Sequence, residues 1–141
     1  EKAPAAICRK VIEAKETGNH KIEIWGDGNQ TRSFMYIDDC VKGSRMIMDS
    51  SVDGPLNLGS DQLVTINELV EIVEAHAGVE LRRDYILDAP KGVNGRNSDN
   101  SLIKKRLNWT PPTSLRDGMA RTYDWIYEQY LARAQGNSVA Q

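Results

Sequence analysis

Lys21-Ile-Glu-Ile-Trp25 sets Ile22 and Ile24 against charged neighbours with the period of a strand, whereas the segments on either side repeat apolar residues every three or four positions. A pattern that switches between these two periods several times within one short chain restricts the fold to helices packed on small sheets. Upstream, Ile7, Val11 and Ile12 mark a helix that starts at Pro4, a favoured first-turn residue, and ends at Gly18-Asn19. Downstream, Gly26-Asp-Gly28 supplies turn chemistry, and residues 31–37 read as a second strand. Asp38-Asp39 then reads as the cap of a helix over residues 40–49, with Val41, Met46, Ile47 and Met48 as its apolar set. Asp53-Gly-Pro55 breaks the chain before a short strand, Leu56-Asn-Leu58.

The next helix carries the strongest signal. Thr65-Ile-Asn-Glu68 is a capping box, in which the hydroxyl meets an otherwise unpaired amide and the glutamate reaches back. Ile66, Leu69, Val70 and Val73 form one stripe behind it, and Gly78 is the expected C-terminal glycine. Residues 81–87 read as a strand and 89–97 as a loop rich in Gly and Asn. Leu102, Ile103 and Leu107 suggest a short helix stopped by Asn108 and Pro111-Pro112. Ser114-Leu-Arg-Asp117 opens a last helix with Met119, Tyr123, Ile126 and Tyr130 along one side. The expected organisation is one α/β domain over residues 1–133 and a frayed tail over 134–141.

Composition narrows the partners. The 141 residues suffice for one core, and 40% apolar with 27% charged residues is ordinary for a globular protein. A formal net charge of −2 disfavours nucleic acid and anionic membranes, and Lys104-Lys105-Arg106 is too short a run to reverse that. No apolar stretch approaches the roughly 20 residues that span a bilayer. Glu1-Lys-Ala-Pro4 leads into a helix rather than a signal peptide, and a start without methionine, almost inside an element, reads as a fragment. The two cysteines, Cys8 and Cys40, lack metal-ligand spacing, and free thiols in a reducing, cytoplasmic setting are the expectation.

No glycine-rich phosphate loop, HExxH, CxxC or EF-hand pattern occurs, and no tyrosine is followed four residues later by lysine. His20 and His76 read as solvated or capping residues, because catalysis needs an oriented partner. Asp38-Asp39 reads as a cap rather than a metal site, so no metal is expected. Arg32 stays ambiguous on pattern alone. It is either an edge-strand arginine in water or a charge kept for an anion.

Taken together, "WGDGNQTRSFMYIDDCVKG", "LNLGS" followed by a capped helix, and "GRNSDNSLIKKRLNWTPPTSLRDGMARTYDWI" resemble the second half of the extended short-chain dehydrogenases that act on nucleotide sugars. Within that group "EKAPAAICRK" and "VNGRNSDNSLIKKRLNW" resemble the GDP-mannose 3,5-epimerases, and the resemblance runs from Glu1 to about Gln129. It implies the C-terminal, substrate-binding part of such an enzyme, a small sheet with flanking helices. The NAD-binding Rossmann half, with the glycine loop and the tyrosine–lysine pair, would lie upstream. It implies a reaction in which the sugar is oxidised at C4, protons are exchanged at C3 and C5 by a cysteine and a lysine, and the ketone is reduced again. The lysine matches Lys2, with Glu1 and Ala3 as substrate-lining neighbours; neither Cys8 nor Cys40 matches the cysteine. Arg32 and Arg96 match arginines that meet the diphosphate, Gln30 and Thr31 line the same site, and Lys10 either approaches the nucleotide or belongs to a solvated helix face. The expected ligand is a nucleotide sugar, GDP-mannose first, and a homodimer is compatible with the family. The isolated domain would then be inactive. Rival readings are another nucleotide-sugar epimerase, dehydratase or decarboxylase, and a non-catalytic binding module. Trp25, Trp109 and Trp125 read as core or interface aromatics, and the helix after Asp39 as packing on the upstream half.

Overall fold

Three helices with well-formed ends build the core. The computed structural model describes residues 2–90, 94–134 and 136. Helix α1 (Ala3–Thr17) begins with Pro4 in its first turn and ends at Gly18, whose φ of 67° suits a residue without a side chain. In α3 (Ile66–Ala77) the capping box closes as the sequence suggests. Thr65 Oγ1 accepts from the Glu68 amide at 3.1 Å, and the Thr65 amide donates to the Glu68 carboxylate at 2.7 Å. These bonds hold the Glu68 carboxyl below the usual carboxylate range. Helix α5 (Leu115–Ala134) opens in a similar way, with the Asp117 amide donating to Ser114 Oγ at 3.1 Å. Cys8, Val11 and Ile12 of α1 meet Leu69, Val70 and Val73 of α3 and Met119 and Tyr123 of α5 in one buried cluster.

Strand β1 (Lys21–Trp25) keeps its alternation, with Ile22 and Ile24 buried and Lys21, Glu23 and Trp25 exposed. It pairs in parallel with β4 (Arg82–Ile86), from Lys21↔Arg82 to Trp25↔Ile86. A second, antiparallel pair joins β2 (Thr31–Arg32) to β3 (Val64–Thr65), with Thr31 opposite Thr65 and Arg32 opposite Val64. The remaining helices are α2 (Ile37–Met48) and α4 (Ser101–Leu107), the latter closed by Asn108 at φ 48°. The fold is α/β, as expected, with its strands divided between two pairs.

Several local expectations change. The strand over 31–37 is paired only at Thr31–Arg32, because the antiparallel register would set Ser33 opposite Leu63, which lies before β3 in a segment without strand structure. Helix α2 starts at Ile37 with Tyr36 as its N-cap residue, and neither Asp38 nor Asp39 caps it. Both aspartates lie in its first turn, where the helix dipole favours them. Asp39 is buried, and its Oδ2 accepts from the Thr113 amide at 2.9 Å, so it ties the segment before α5 to α2. Leu56-Asn-Leu58 forms no strand; Leu58 and the Trp109 ring instead close over Gly43, where a Cβ would meet them at 2.6 and 2.8 Å. Trp25 and Trp125 stand exposed rather than in the core. Ala134 still belongs to α5, and the rest of the expected tail, Gly136 apart, lies outside the described residues.

One buried ion pair fastens β4 to α3. Arg83 Nη2 donates to Glu74 Oε2 at 2.7 Å, and the Leu81 amide donates to Glu74 Oε1 at 2.8 Å. On the neighbouring face His76 meets Asp124 at 2.7 Å and so joins α3 to α5. The outer face of α2 is bare: Ile37 and Val41 are each 62% exposed and Met48 is 82% exposed. Among the described residues no helix is long and apolar enough to cross a membrane.

Glu74→Ala strips Arg83 of its counter-charge, leaving it only the Leu81 carbonyl, and removes the partner of the Leu81 amide, so we expect a loss of about 3 kcal/mol in urea denaturation, the usual cost of removing one partner of a buried pair. Expressed by itself, the chain should associate with rising concentration through the bare face of α2. Sedimentation velocity should show less association in Val41→Lys/Met48→Lys, and a concentration-independent monomer in the unsubstituted chain would refute this.

Candidate functional site

The short β2–β3 pair fixes the backbone at Arg32, whose Nη1 donates to the Thr31 carbonyl at 2.7 Å. A second segment, residues 94–100, comes back against this strand. The Thr31 amide donates to the Asn94 carbonyl at 2.9 Å, with Thr31 Oγ1 at 3.4 Å from the same oxygen. Beyond Arg96 the segment is laced to residues 57–61. Asn97 Nδ2 donates to the Asp61 carbonyl at 2.9 Å, the Ser98 amide to the Ser60 carbonyl at 3.0 Å, and Asn100 Nδ2 to the Gly59 carbonyl at 2.9 Å. Asn100 is buried and its Oδ1 accepts from Ser98 Oγ at 2.8 Å, so its amide is used at both ends.

This lacing brings Arg32 and Arg96, 64 positions apart in the chain numbering (96 − 32), to one open cleft of about 370 Å³, beside Ser33, Asn57 and Ser98. Among the described residues no carboxylate lines that cleft. The Arg96 side chain is exposed and has no hydrogen-bond or ion-pair partner among the described residues. A larger polar cavity of about 570 Å³ adjoins it through Asn97 and Ser98, and there Asp61 and Asp99 face Lys104. The Ser101 side chain and amide hold the Asp99 carboxyl below its usual range. Two guanidinium forks, with serine and asparagine between them, suit an anion that offers several oxygens at more than one centre.

The other expected site residues are spread more widely. Gln30 turns inward: its Nε2 donates to the Trp25 carbonyl at 2.9 Å, and its Oε1 is buried with no partner. Thr31 spends its hydroxyl on Asn94. Lys10 lies in a separate cleft of about 520 Å³, where Nζ donates to the Glu23 carbonyl at 3.0 Å. Lys2 is exposed as the N-cap residue of α1, and Ala3 is the first residue of that helix. Pro4, one residue further, shares an apolar groove with Phe34, Met35 and Tyr36, the segment that continues from Arg32. Glu1 lies outside the described residues. Burial pushes the Cys8 thiol up to about 12, which makes it a core residue rather than a nucleophile. Sequence reasoning passed over Asn57, Asn97, Ser98 and Asn100; the density of short polar residues after Arg96 was the available sign.

The family model described as GDP-mannose 4,6 dehydratase matches residues 2–122. The chain belongs to that family. It is a member of the nucleotide-sugar branch of the extended short-chain dehydrogenases, and its curated relatives include GDP-mannose 3,5-epimerase 1 of Oryza sativa subsp. japonica, 47% identical over 141 residues. That alignment takes in 99% of this chain and 36% of the relative, so the chain spans about a third of its length. Among solved structures, the UDP-glucose 4-epimerase of Thermotoga maritima with UDP-glucose superposes with a TM-score of 0.81 at 22% identity, over 92% of this chain and 40% of that one. The UDP-glucuronic acid 4-epimerase of Bacillus cereus, in complex with UDP-glucuronic acid and NAD, gives a TM-score of 0.74 at 26% identity, over 86% of this chain and 40% of that one. In this dehydratase and epimerase family, then, the chain corresponds to one substantial segment of longer proteins.

Proposed function

We propose that this chain is the nucleotide-sugar-binding part of an NAD-dependent epimerase of the GDP-mannose 3,5-epimerase type, in which Arg32 and Arg96 grip the diphosphate. One observation carries the reading: two arginines from distant segments meet in a cleft that no carboxylate of the described residues lines, within a chain of net charge −2. The charge needed for an anion is therefore local. The rice relative, at 47% identity, supports GDP-mannose as the substrate.

NAD accompanies the substrate in the Bacillus cereus relative. The described residues of this chain do not fit that cofactor. Gly26-Asp-Gly28 after β1 runs on to β2 instead of opening a helix, and β4 is followed by a long loop. The family's C4 oxidation and re-reduction are the chemistry NAD would supply, and no residue described here takes part in them. The work of this chain is to bind, to orient and to move one proton. In this reading Lys2 gives that proton at the sugar, from the N-cap of α1, with Glu1 and Ala3 beside it. In the same reading Gln30 would offer the ligand its buried Oε1, an acceptor that no described residue bonds. Lys10 would reach the nucleotide only by leaving the Glu23 carbonyl. The free thiols of Cys8 and Cys40 suit a reducing, cytoplasmic setting.

A charge-assisted hydrogen bond contributes about 1.5–3 kcal/mol, so Arg32→Ala and Arg96→Ala should each weaken GDP binding roughly tenfold to a hundredfold in calorimetry. Lysine at either position should restore only part of this, because it lacks the planar fork. Unchanged affinity in either alanine variant would remove the clamp. For the reaction itself, the natural gene product carrying this sequence should incorporate deuterium at C3 and C5 of GDP-mannose in D2O, and Lys2→Ala should stop it. Absence of exchange in folded, NAD-loaded protein would leave a different nucleotide-sugar reaction in its place.

A further inference from the structure

Arg96 is preceded by a glycine that the backbone does not demand. Gly95 is outside the left-handed region, so conformational freedom is not the reason for its missing side chain. Space is the reason: a Cβ on Gly95 would overlap Thr31 Oγ1 and approach Thr31 Cβ to 3.7 Å. Thr31 has little room to yield. Its residue is paired with Thr65 in the ladder, its amide is bonded to Asn94, and a β-branched side chain has few χ1 choices. On the other side of Arg96, Asn97 is bonded to the Asp61 carbonyl at 2.9 Å. Arg96 thus stands between two adjacent fixed points, with a rigid wall behind the first.

We propose that Thr31 and Gly95 form a spacer pair that sets how close the Arg96 segment lies to Arg32. Thr31 then acts as a positioning residue, through Asn94 and Gly95, and not as the ligand contact that the family resemblance implies. This rests on the diphosphate clamp proposed above and says what holds its two arms at a working separation. The logic is steric: at this position any side chain pushes the strap, and with it Arg96, off the strand.

The test is calorimetric titration of GDP into the natural gene product carrying this sequence. Gly95→Ala should weaken binding about tenfold, as for the loss of one charge-assisted contact. On a Thr31→Ala background, where the wall is gone, the same change should cost less than about threefold. On an Arg96→Ala background it should cost nothing more, since its effect passes through Arg96. Wild-type affinity in Gly95→Ala, or an equal loss on all three backgrounds, overturns the spacer pair. Should Gly95→Ala not fold, Thr31→Ala/Gly95→Ala is compared with Thr31→Ala: equal affinity upholds the pair and a tenfold loss overturns it. Wild-type affinity in Arg96→Ala overturns the clamp and the spacer together, whereas normal binding by Gly95→Ala beside a weakened Arg96→Ala overturns the spacer alone.

Discussion

The antiparallel contact of Thr31 with Thr65 is the joint on which the rest depends. Thr65 closes the capping box of α3, and α3 carries the Leu69, Val70 and Val73 side of the core. Thr31, directly opposite, holds the Asn94 carbonyl and so the strap that bears Arg96. Two residues of sheet therefore connect the buried helix layer to the cleft that Arg32 and Arg96 share. A strand this short has little stability of its own. It persists because the helix start, the buried Val64 and the strap are each fixed by other bonds.

The electrostatics follow from the same lacing. Acidic residues outnumber basic ones, 20 to 18, yet the acids nearest the cleft are already engaged or lie in the adjoining cavity. Asp61 and Asp99 both line that cavity, and the Asp99 carboxylate accepts from the Ser101 amide. Arg96, exposed and without a partner among the described residues, keeps its hydrogen-bonding capacity there unspent. Elsewhere Glu74 pairs its charge with Arg83 and His76 bonds Asp124, whereas Arg96 lies beside Arg32 with no such bond among the described residues.

Much of the fold was legible because its signals are local. The Thr65–Glu68 capping box, Gly18 and Gly78, and the alternation of Lys21–Trp25 depend on residues within a few positions of one another, and each forms where the pattern puts it. The errors share one cause. Residues 33–36 look like a strand but have no partner beyond Val64, and partners are not encoded nearby. Asp39 looks like a cap, yet its carboxylate goes to Thr113, 74 residues away. At the site, the identity of Arg32 and Arg96 was readable by resemblance to a family, while the asparagines that hold the strap were visible only as a run of turn-forming residues.

By itself, the sequence determined the ends of α1 and α3, the period of β1, the membership of the nucleotide-sugar dehydrogenases and the presence of two candidate phosphate-binding arginines. These follow from backbone capping, side-chain alternation and residue type, which short stretches carry in full. Tertiary structure alone decided that Arg32 and Arg96 share one cleft, that Lys10 faces another, and that Gly95 is small because Thr31 stands behind it. Those outcomes depend on distances between segments far apart in the chain, and such distances exist only once the core has closed.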